Sequence, residues 1–542
     1  MSASKKKKLR SQEAAQKMTE RQLQEQKESK KLKIYTAIFV VVLVVLVAVA
    51  LINSIVSGIN NGRDEKNTVA MTVGEQTINN AEFNYYYRDN VNVYYQNIQA
   101  YASLLGLDPT VPLDEQACPQ IDGTWADYFV TSTQEQIQYI YALSEAAYAE
   151  DYQLSAEEQD YIDQIMEQRK AEAASGSLTL DIYLQYLYGP GSEADSYEEY
   201  IERSVLATSY ENHLLSNATY SDEQLREHEK DIFSNYSSFS YSYCYITADK
   251  FLNPVDGTTD EEGTITYSDE VKAQAQKDAE AAAKEIESAS IKSEEDFKAA
   301  IGALEINADS AKISATTITN TLYDNLNPLF RDWLAAAERK TGDVKMFEDT
   351  RTTYDEDGKE NTTVVGYYVV CFSASNDNTF ELVNVRHVLV KPDGGTTDPN
   401  TGMTTYTDAE IEGAKVAAEE MLNLWKTGDT SEESFIELAK NNSADGSAAD
   451  GGLIADIHPE SSLVENFLNW SLDPNRTVGE TGVVTSPYGA HIMYYCGPNG
   501  TTFRDYMITN VMAATDRDAL IEAVTVVPGD VSFVDTGLVL DR

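Results

Sequence analysis

Cysteine, histidine and positive charge are all scarce in this chain of 542 residues. The four cysteines, Cys118, Cys244, Cys371 and Cys496, stand far apart with no C-x-x-C spacing, which argues against a zinc knuckle or a thioredoxin-like redox site. They read as buried free thiols, because free cysteine packs as a small hydrophobe and a chain with large cores does not need disulfides. The 41 Lys and Arg face 89 Asp and Glu for a net charge of -48, so nucleic acid is a poor partner for the bulk of the molecule. Of only 5 histidines, one interrupts "VRHVLV", residues 385–390, which otherwise reads as a buried strand.

A chain of this length exceeds one ordinary core, so two to four domains are expected. Apolar residues at 42% and aromatics at 10% suffice to build them and exclude wholesale disorder. Residues 1–33 carry eleven Lys and Arg against four Glu, which leaves about -55 on the rest. Between the two charge regimes lies "IYTAIFVVVLVVLVAVALINSIV", Ile34–Val56, with no charged residue. As a helix it would span roughly 35 Å, enough for a bilayer core of about 30 Å, so it reads as a transmembrane anchor. A cleaved signal peptide is the competing reading, but the basic region is too long, the apolar core exceeds about 15 residues, and no A-x-A-like site follows. A lipid anchor needs a cysteine just after the run, and the first is Cys118. Lysines before the span and acids after it place the N-terminus in the cytoplasm and the bulk outside, a single-pass arrangement in the cell membrane.

After a polar linker (57–67), "TVAMTVGEQTIN" reads as two short strands around Gly74-Glu75, leading into a helix near Asn80. Amphipathic helices follow near 126–150, 155–175, 194–216 and 221–233. Their tyrosines recur at helical spacing and are expected mostly in the core.

An internal repeat carries more information. "DGTTDEEGTITYSDEVKAQAQKDAEAAAKEI" from Asp256 parallels "GGTTDPNTGMTTYTDAEIEGAKVAAEEMLNL" from Gly394. Each copy continues into a second short helix ("EEDFKAAI", "EESFIELAK"), then an aromatic pair three apart (Phe330/Trp333, Phe467/Trp470), then a Gly-led apolar strand from Gly366 or Gly489. Each reads as strand, long loop, helix, helix, loop, helix, strand, an α+β module of ordinary domain size. With the first strands in register, Cys244 is expected where the second copy has His387, and Tyr368 where it has His491. If the module's first and last strands are neighbours, the two imidazoles can meet, one donating and one accepting. From strand position alone a satisfied core pair is the favoured reading, and the loop residues decide between the two. Zinc with His458 as a third ligand lacks recognisable spacing.

The whole set of segments resembles a parvulin-type peptidyl-prolyl isomerase domain over residues 382–497: "VRHVLV", "FIELAKNNSADGSAADGGL", "LVENFLNWSLDPNRTVGETGVV" and "SPYGAHIMYY" in family order. The opening "VGEQTINNAEFNYYY" is similar to the helical chaperone domain of the SurA/PrsA-like extracytoplasmic foldases. The resemblance implies catalytic roles for His387, Asp445 and His491. It implies substrate contacts from Leu463 and Phe467, with Leu453 nearby, and from Ser486 and Tyr488 on the loop before His491. Three departures accompany it: Leu463 where Met is usual, one extra residue between Pro459 and Leu463, and "GGLIADI" without the commoner aspartate and glycine.

The expectation is therefore an α+β chain: a basic tail (1–33), a transmembrane helix (34–56), a mainly helical SurA-like chaperone domain (64–235), a degenerate parvulin-like module (236–377), an isomerase domain (380–498) and a C-terminal segment (499–542), a candidate for packing on the helical domain. Prolyl rotation breaks no bond, so neither metal nor cofactor is implied. The loop "KPDGGTTDPNTGMTTYTD" holds one lysine and several acids and would repel a phosphate, so ordinary X-Pro segments of unfolded or secreted proteins are the expected partners. The alternative is a tethered, non-catalytic holdase whose parvulin-like modules only bind peptide.

Overall fold

The hairpin and helices that follow residue 61 take their boundaries from local signals. In this computed structural model the described residues are 62–540 except 261–262, 309, 355–358, 399–401 and 533. The apolar run Ile34–Val56 lies outside them. No helix among the described residues is long and apolar enough to cross a membrane.

The chain divides into two bodies, Met1–Ala218 with Ala513–Arg542, and Thr219–Met512. In the first, strands Val69–Val73 and Gln76–Asn79 pair about Gly74, and Val526–Pro528 pairs with the free side of Val69–Val73. The helices are Asn80–Ile98, Trp125–Ala149, Ala156–Ser175, Leu180–Tyr188 and Ala194–Asn217. Capping boxes start two of them: Thr124 with Asp127, and Ser155 with Glu158, each satisfying backbone donors that a helix start leaves open. Leu180–Tyr188 was not anticipated, since nine residues carry too little periodicity to stand out. Tyr85, Tyr86, Tyr87, Tyr197 and Tyr210 are fully buried, whereas Tyr101, Tyr161 and Tyr186 face solvent.

The second body contains two modules of the same topology. The first has an antiparallel sheet ordered Thr316–Leu322, Ser238–Ile246, Glu360–Asn376, Val344–Tyr354. The second is ordered Leu453–Ile457, Glu381–Val390, Gly489–Thr502, Thr481–Ser486. In both, the first and last strands of the repeat are the central neighbours. The outer strands carry little signal in the sequence, because they are short or polar and lack an apolar alternation. Two helices cover one face of each sheet, Asp269–Glu287 and Glu294–Gly302 in the first module, Asp408–Trp425 and Glu432–Asn442 in the second. A short helix covers the other face, Arg331–Leu334 and Glu465–Ser471 respectively.

The facing corrects the expected correspondence between modules. Cys244 packs with Ala279 and Phe297 under the two-helix layer, as Val388 does in the second module. It therefore does not stand where His387 stands. Tyr243 does: it pairs with Val370 as His387 pairs with Met493, and both lie on the short-helix face. A one-residue slip in aligning strands moves every side chain to the opposite face, which is the error that placed Cys244 there. Tyr368 keeps its expected place opposite His491 in the comparison. The ring centroids of Tyr243 and Tyr368 are 5.8 Å apart, and Phe330, the counterpart of Phe467, is 5.6 Å from Tyr368.

All four cysteines are free; Cys118, Cys244 and Cys371 are buried, while Cys496 is only half-buried. The start of helix Phe503–Glu522 is locked into the second body by Arg504, fully buried, which pairs with buried Glu229 and donates to the Asp377 carbonyl at 3.0 Å. A buried charge is tolerated because its donors are satisfied this way.

Candidate active site

Strand Glu381–Val390 alternates Val383, Val385 and His387 toward the short helix with Arg386 and Val388 toward the long ones. Strand Gly489–Thr502 runs antiparallel beside it, with Met493 opposite His387 and His491 opposite Leu389. Two positions' offset along neighbouring strands brings the rings side by side. Their Nδ1 atoms are 3.1 Å apart and both residues are buried.

A loop laces onto the same strand from the far side. Ala444 N–H donates to the Leu389 carbonyl at 2.9 Å, the Leu389 N–H donates to Ser443 Oγ at 3.0 Å, and the His387 N–H donates to the Gly452 carbonyl at 2.8 Å. Gly452 has φ +71°, and a Cβ there would run into the His387 carbonyl oxygen, so only glycine fits this approach. The lacing holds Asp445 as the cap of the 3-10 turn Gly446–Asp450, where it accepts from the Ser447 N–H at 2.9 Å and the Ser447 hydroxyl at 2.6 Å. His387 Nε2 is 3.2 Å from Asp445 Oδ1 and 3.2 Å from Ser447 Oγ. On the other side, His491 Nε2 is 2.7 Å from Ser486 Oγ, which also accepts the Tyr488 N–H at 3.1 Å.

These contacts determine the tautomers. A carboxylate only accepts, so the Ser447 proton goes to Asp445, and His387 Nε2 must carry a proton to find an acceptor there. His387 Nδ1 then accepts from His491 Nδ1–H, and His491 Nε2 accepts from the Ser486 hydroxyl. The result is one directed chain from Ser486 through both imidazoles to Asp445.

Electrostatics agree with neutral rings. Burial pushes His387 below the usual histidine value against the opposing pull of Asp445. Burial, with the neighbouring His387 second, pushes His491 down to about 4. Burial alone would raise the Asp445 carboxyl, but the two Ser447 hydrogen bonds and His387 outweigh it and hold it below its ordinary value.

The apolar wall comes from helix Glu465–Ser471. The Phe467 ring stands edge-on to both imidazoles, with centroids 5.2 Å from His387 and 5.5 Å from His491. Leu463, Val484, Met493 and Ile454 pack in the same cluster as Phe467. The extra residue before Leu463 is absorbed in a turn, where the His458 N–H donates to Ser461 Oγ at 2.9 Å and the Leu463 N–H to the Ser461 carbonyl at 2.7 Å. Leu463 thus keeps its place beside Phe467.

The structure brings His387, Asp445, His491, Ser486, Leu463 and Phe467 together, with Tyr488 half outside at 56% exposure. Leu453 does not belong with them: it lies opposite Arg386, on the face of the long helices, and Ile454, opposite Val385, takes the position on the imidazole face. The bulge between Ile454 and Ile457 hid this facing from a reading of the sequence. Ser447 was also missed; the signal for it is a hydroxyl two residues after Asp445, the spacing of a capped turn. His458 is not part of the site and stacks on Phe503 at 4.6 Å.

Residues 369–496 match the family of the PPIC-type PPIASE domain. Among solved structures, the PPIase domain of TBPAR42 is similar at 22% identity, covering 21% of this chain and 98% of that one, with a TM-score of 0.17. PrsA from Bacillus subtilis is similar at 12% identity over 75% of this chain and 88% of that one, with a TM-score of 0.26. The peptidylprolyl isomerase PrsA from Bacillus anthracis is similar at 19% identity over 27% of this chain and 59% of that one, with a TM-score of 0.17. No curated protein matches the chain.

Proposed function

We propose that this chain, which matches the PPIC-type PPIASE domain family over residues 369–496 and carries the imidazole pair in its second module, is a membrane-anchored extracytoplasmic foldase acting on X-Pro bonds of unfolded or secreted proteins. The observation that carries the catalytic part is the hydrogen-bonded imidazole pair, capped by Asp445 and walled by Phe467.

Rotation about the bond faces a barrier of about 18–20 kcal/mol from amide resonance, though the two planar X-Pro forms differ little in energy. The site lowers it by binding the twisted amide better than either planar form, each ~1.4 kcal/mol of difference giving about tenfold in rate. Phe467 and Leu463 hold the prolyl ring. Asp445 and the neutral imidazoles set the field at the carbonyl and at the nitrogen as it becomes pyramidal. No nucleophile is required, because loss of resonance alone completes the reaction.

The first module has Tyr243 and Tyr368 where the second has histidines, which supports reading it as a non-catalytic copy. The helical first body is read as the chaperone part, and Ile34–Val56 as the anchor, with the bulk of the chain outside the cell. A protease-coupled assay on a short X-Pro peptide tests the isomerase role: acceleration by the full chain in non-ionic detergent is expected, and an unchanged uncatalysed rate would refute it. Alkaline extraction of membranes tests the anchor; release of the chain into the supernatant would refute that.

A further inference from the structure

The first body contains a cavity of about 600 Å³ beside the strand Gln76–Asn79. That strand is the outer member of its sheet, and its far edge pairs with no other strand among the described residues. An open edge is a template for an extended chain.

The cavity's charge is unbalanced. Glu82, Glu193, Glu199 and Glu202 line it, against Lys66 and Arg203. Both cations are already matched, Lys66 by Glu193 and Arg203 by Glu145 at 2.8 Å. Glu199 and Glu202 have no ion-pair partner among the described residues, while Glu82 accepts a hydrogen bond from the Tyr141 hydroxyl and lies in the field of Arg203.

The tyrosine walls point to the same kind of ligand. Tyr86, Tyr141, Tyr148 and Tyr200 line the cavity. Tyr86 is 0% exposed, and its hydroxyl has only a weak contact with the Ser204 side chain and no hydrogen bond of good geometry, which leaves it short of a partner. One cation already rests on two of these rings: the Arg203 guanidinium lies 4.2 Å from the Tyr141 centroid and 5.5 Å from that of Tyr148. A metal ion does not fit, since no group of three or more His, Cys, Asp or Glu among the described residues could hold one.

We propose that the cavity receives a lysine or arginine side chain of an unfolded segment whose backbone lies along the open edge of Gln76–Asn79. The inference rests on the foldase reading and adds a client class: cationic extended stretches, selected independently of proline. The net charge of -48 draws such segments toward the protein, and Glu199, Glu202 and the Tyr86 hydroxyl accept from the cation at the end of the approach.

Fluorescence anisotropy tests this with the full chain in non-ionic detergent and three labelled, proline-free peptides of alternating Thr with Lys, Gln or Glu. The Lys peptide should bind at least tenfold tighter than the Gln peptide, and the Glu peptide least of all. Glu199→Gln/Glu202→Gln and, separately, Tyr86→Phe should each weaken the Lys peptide about tenfold. The Tyr86→Phe chain should stay close to the natural melting temperature, because the hydroxyl it loses has only a weak contact with Ser204. A charge-matched control on exposed acids of the same body, Glu157→Gln/Asp160→Gln, should leave binding unchanged. Equal binding of the Lys and Gln peptides, or equal weakening by the control pair, overturns the proposal. Isomerisation of an X-Pro peptide, measured on the same samples, separates the two readings: a chain that binds the Lys peptide but does not isomerise removes the enzyme reading and leaves this site standing.

Discussion

Two neutral, buried imidazoles sharing one hydrogen bond are stable only while neither takes up a proton. Because both native values are depressed, the pair contributes stability that is fully present above the ordinary histidine value of about 6.5. That contribution is lost as pH falls from there through about 4, where His491 protonates. The expected outcome is that kcat/KM on an X-Pro peptide shows no inflection at 6.5 and is lost at lower pH, as His387 and then His491, at about 4, take up protons; an inflection at 6.5 would show that the rings are not held neutral. Phe467 fills the space over both rings, so Phe467→Ala should raise KM and cost about 3–5 kcal/mol in denaturant melts of the module. At this scale the sequence was informative where residue type is distinctive. Paired histidines and an aspartate stand out among few of their kind, whereas Leu453 and Ile454 are equivalent in type and only the bulge between the strands separates their faces.

Among elements, the loop between helix Glu432–Asn442 and strand Leu453–Ile457 decides whether the site exists, since it carries Asp445 and ties it to the His387 strand at three backbone points. Gly452→Ala introduces both a strained φ and a clash with the His387 carbonyl. It should destabilise the module by about 2 kcal/mol or more and lower isomerase activity, measured by urea melts and peptide turnover together. In the first module, Tyr243→Phe/Tyr368→Phe should leave X-Pro turnover unchanged, because that face holds no imidazole; a lowered rate would show that the first copy takes part in catalysis. The repeat made both modules legible, since helix periodicity and the aromatic pairs recur in order. The outer strands were not legible, because Thr316–Leu322 and Thr481–Ser486 are threonine-rich and carry little apolar pattern. The facing of Cys244 depended on register, which a run of alternating tyrosines leaves open by one residue.

For the molecule as a whole, a chain with its ends far apart in sequence closes its first body through the C-terminus. Val526–Pro528 pairs with Val69–Val73, the Gly529 N–H donates to the Ala70 carbonyl at 2.8 Å, and Asn80 Nδ2 donates to the Asp530 carbonyl at 2.7 Å. Deleting residues 525–542 should strip hydrogen-exchange protection from amides 69–80 while leaving peptide isomerisation by the second body intact. Such a closure joins segments more than 400 residues apart, a pairing that local patterns cannot reveal. The central claim is that the imidazole pair with Asp445 turns X-Pro bonds, and exchange NMR on an X-Pro peptide with the full chain measures it directly. Catalysed cis/trans exchange should appear with the natural chain and fall about a hundredfold in His387→Ala/Asp445→Ala. Equal exchange rates with the two chains would contradict the account.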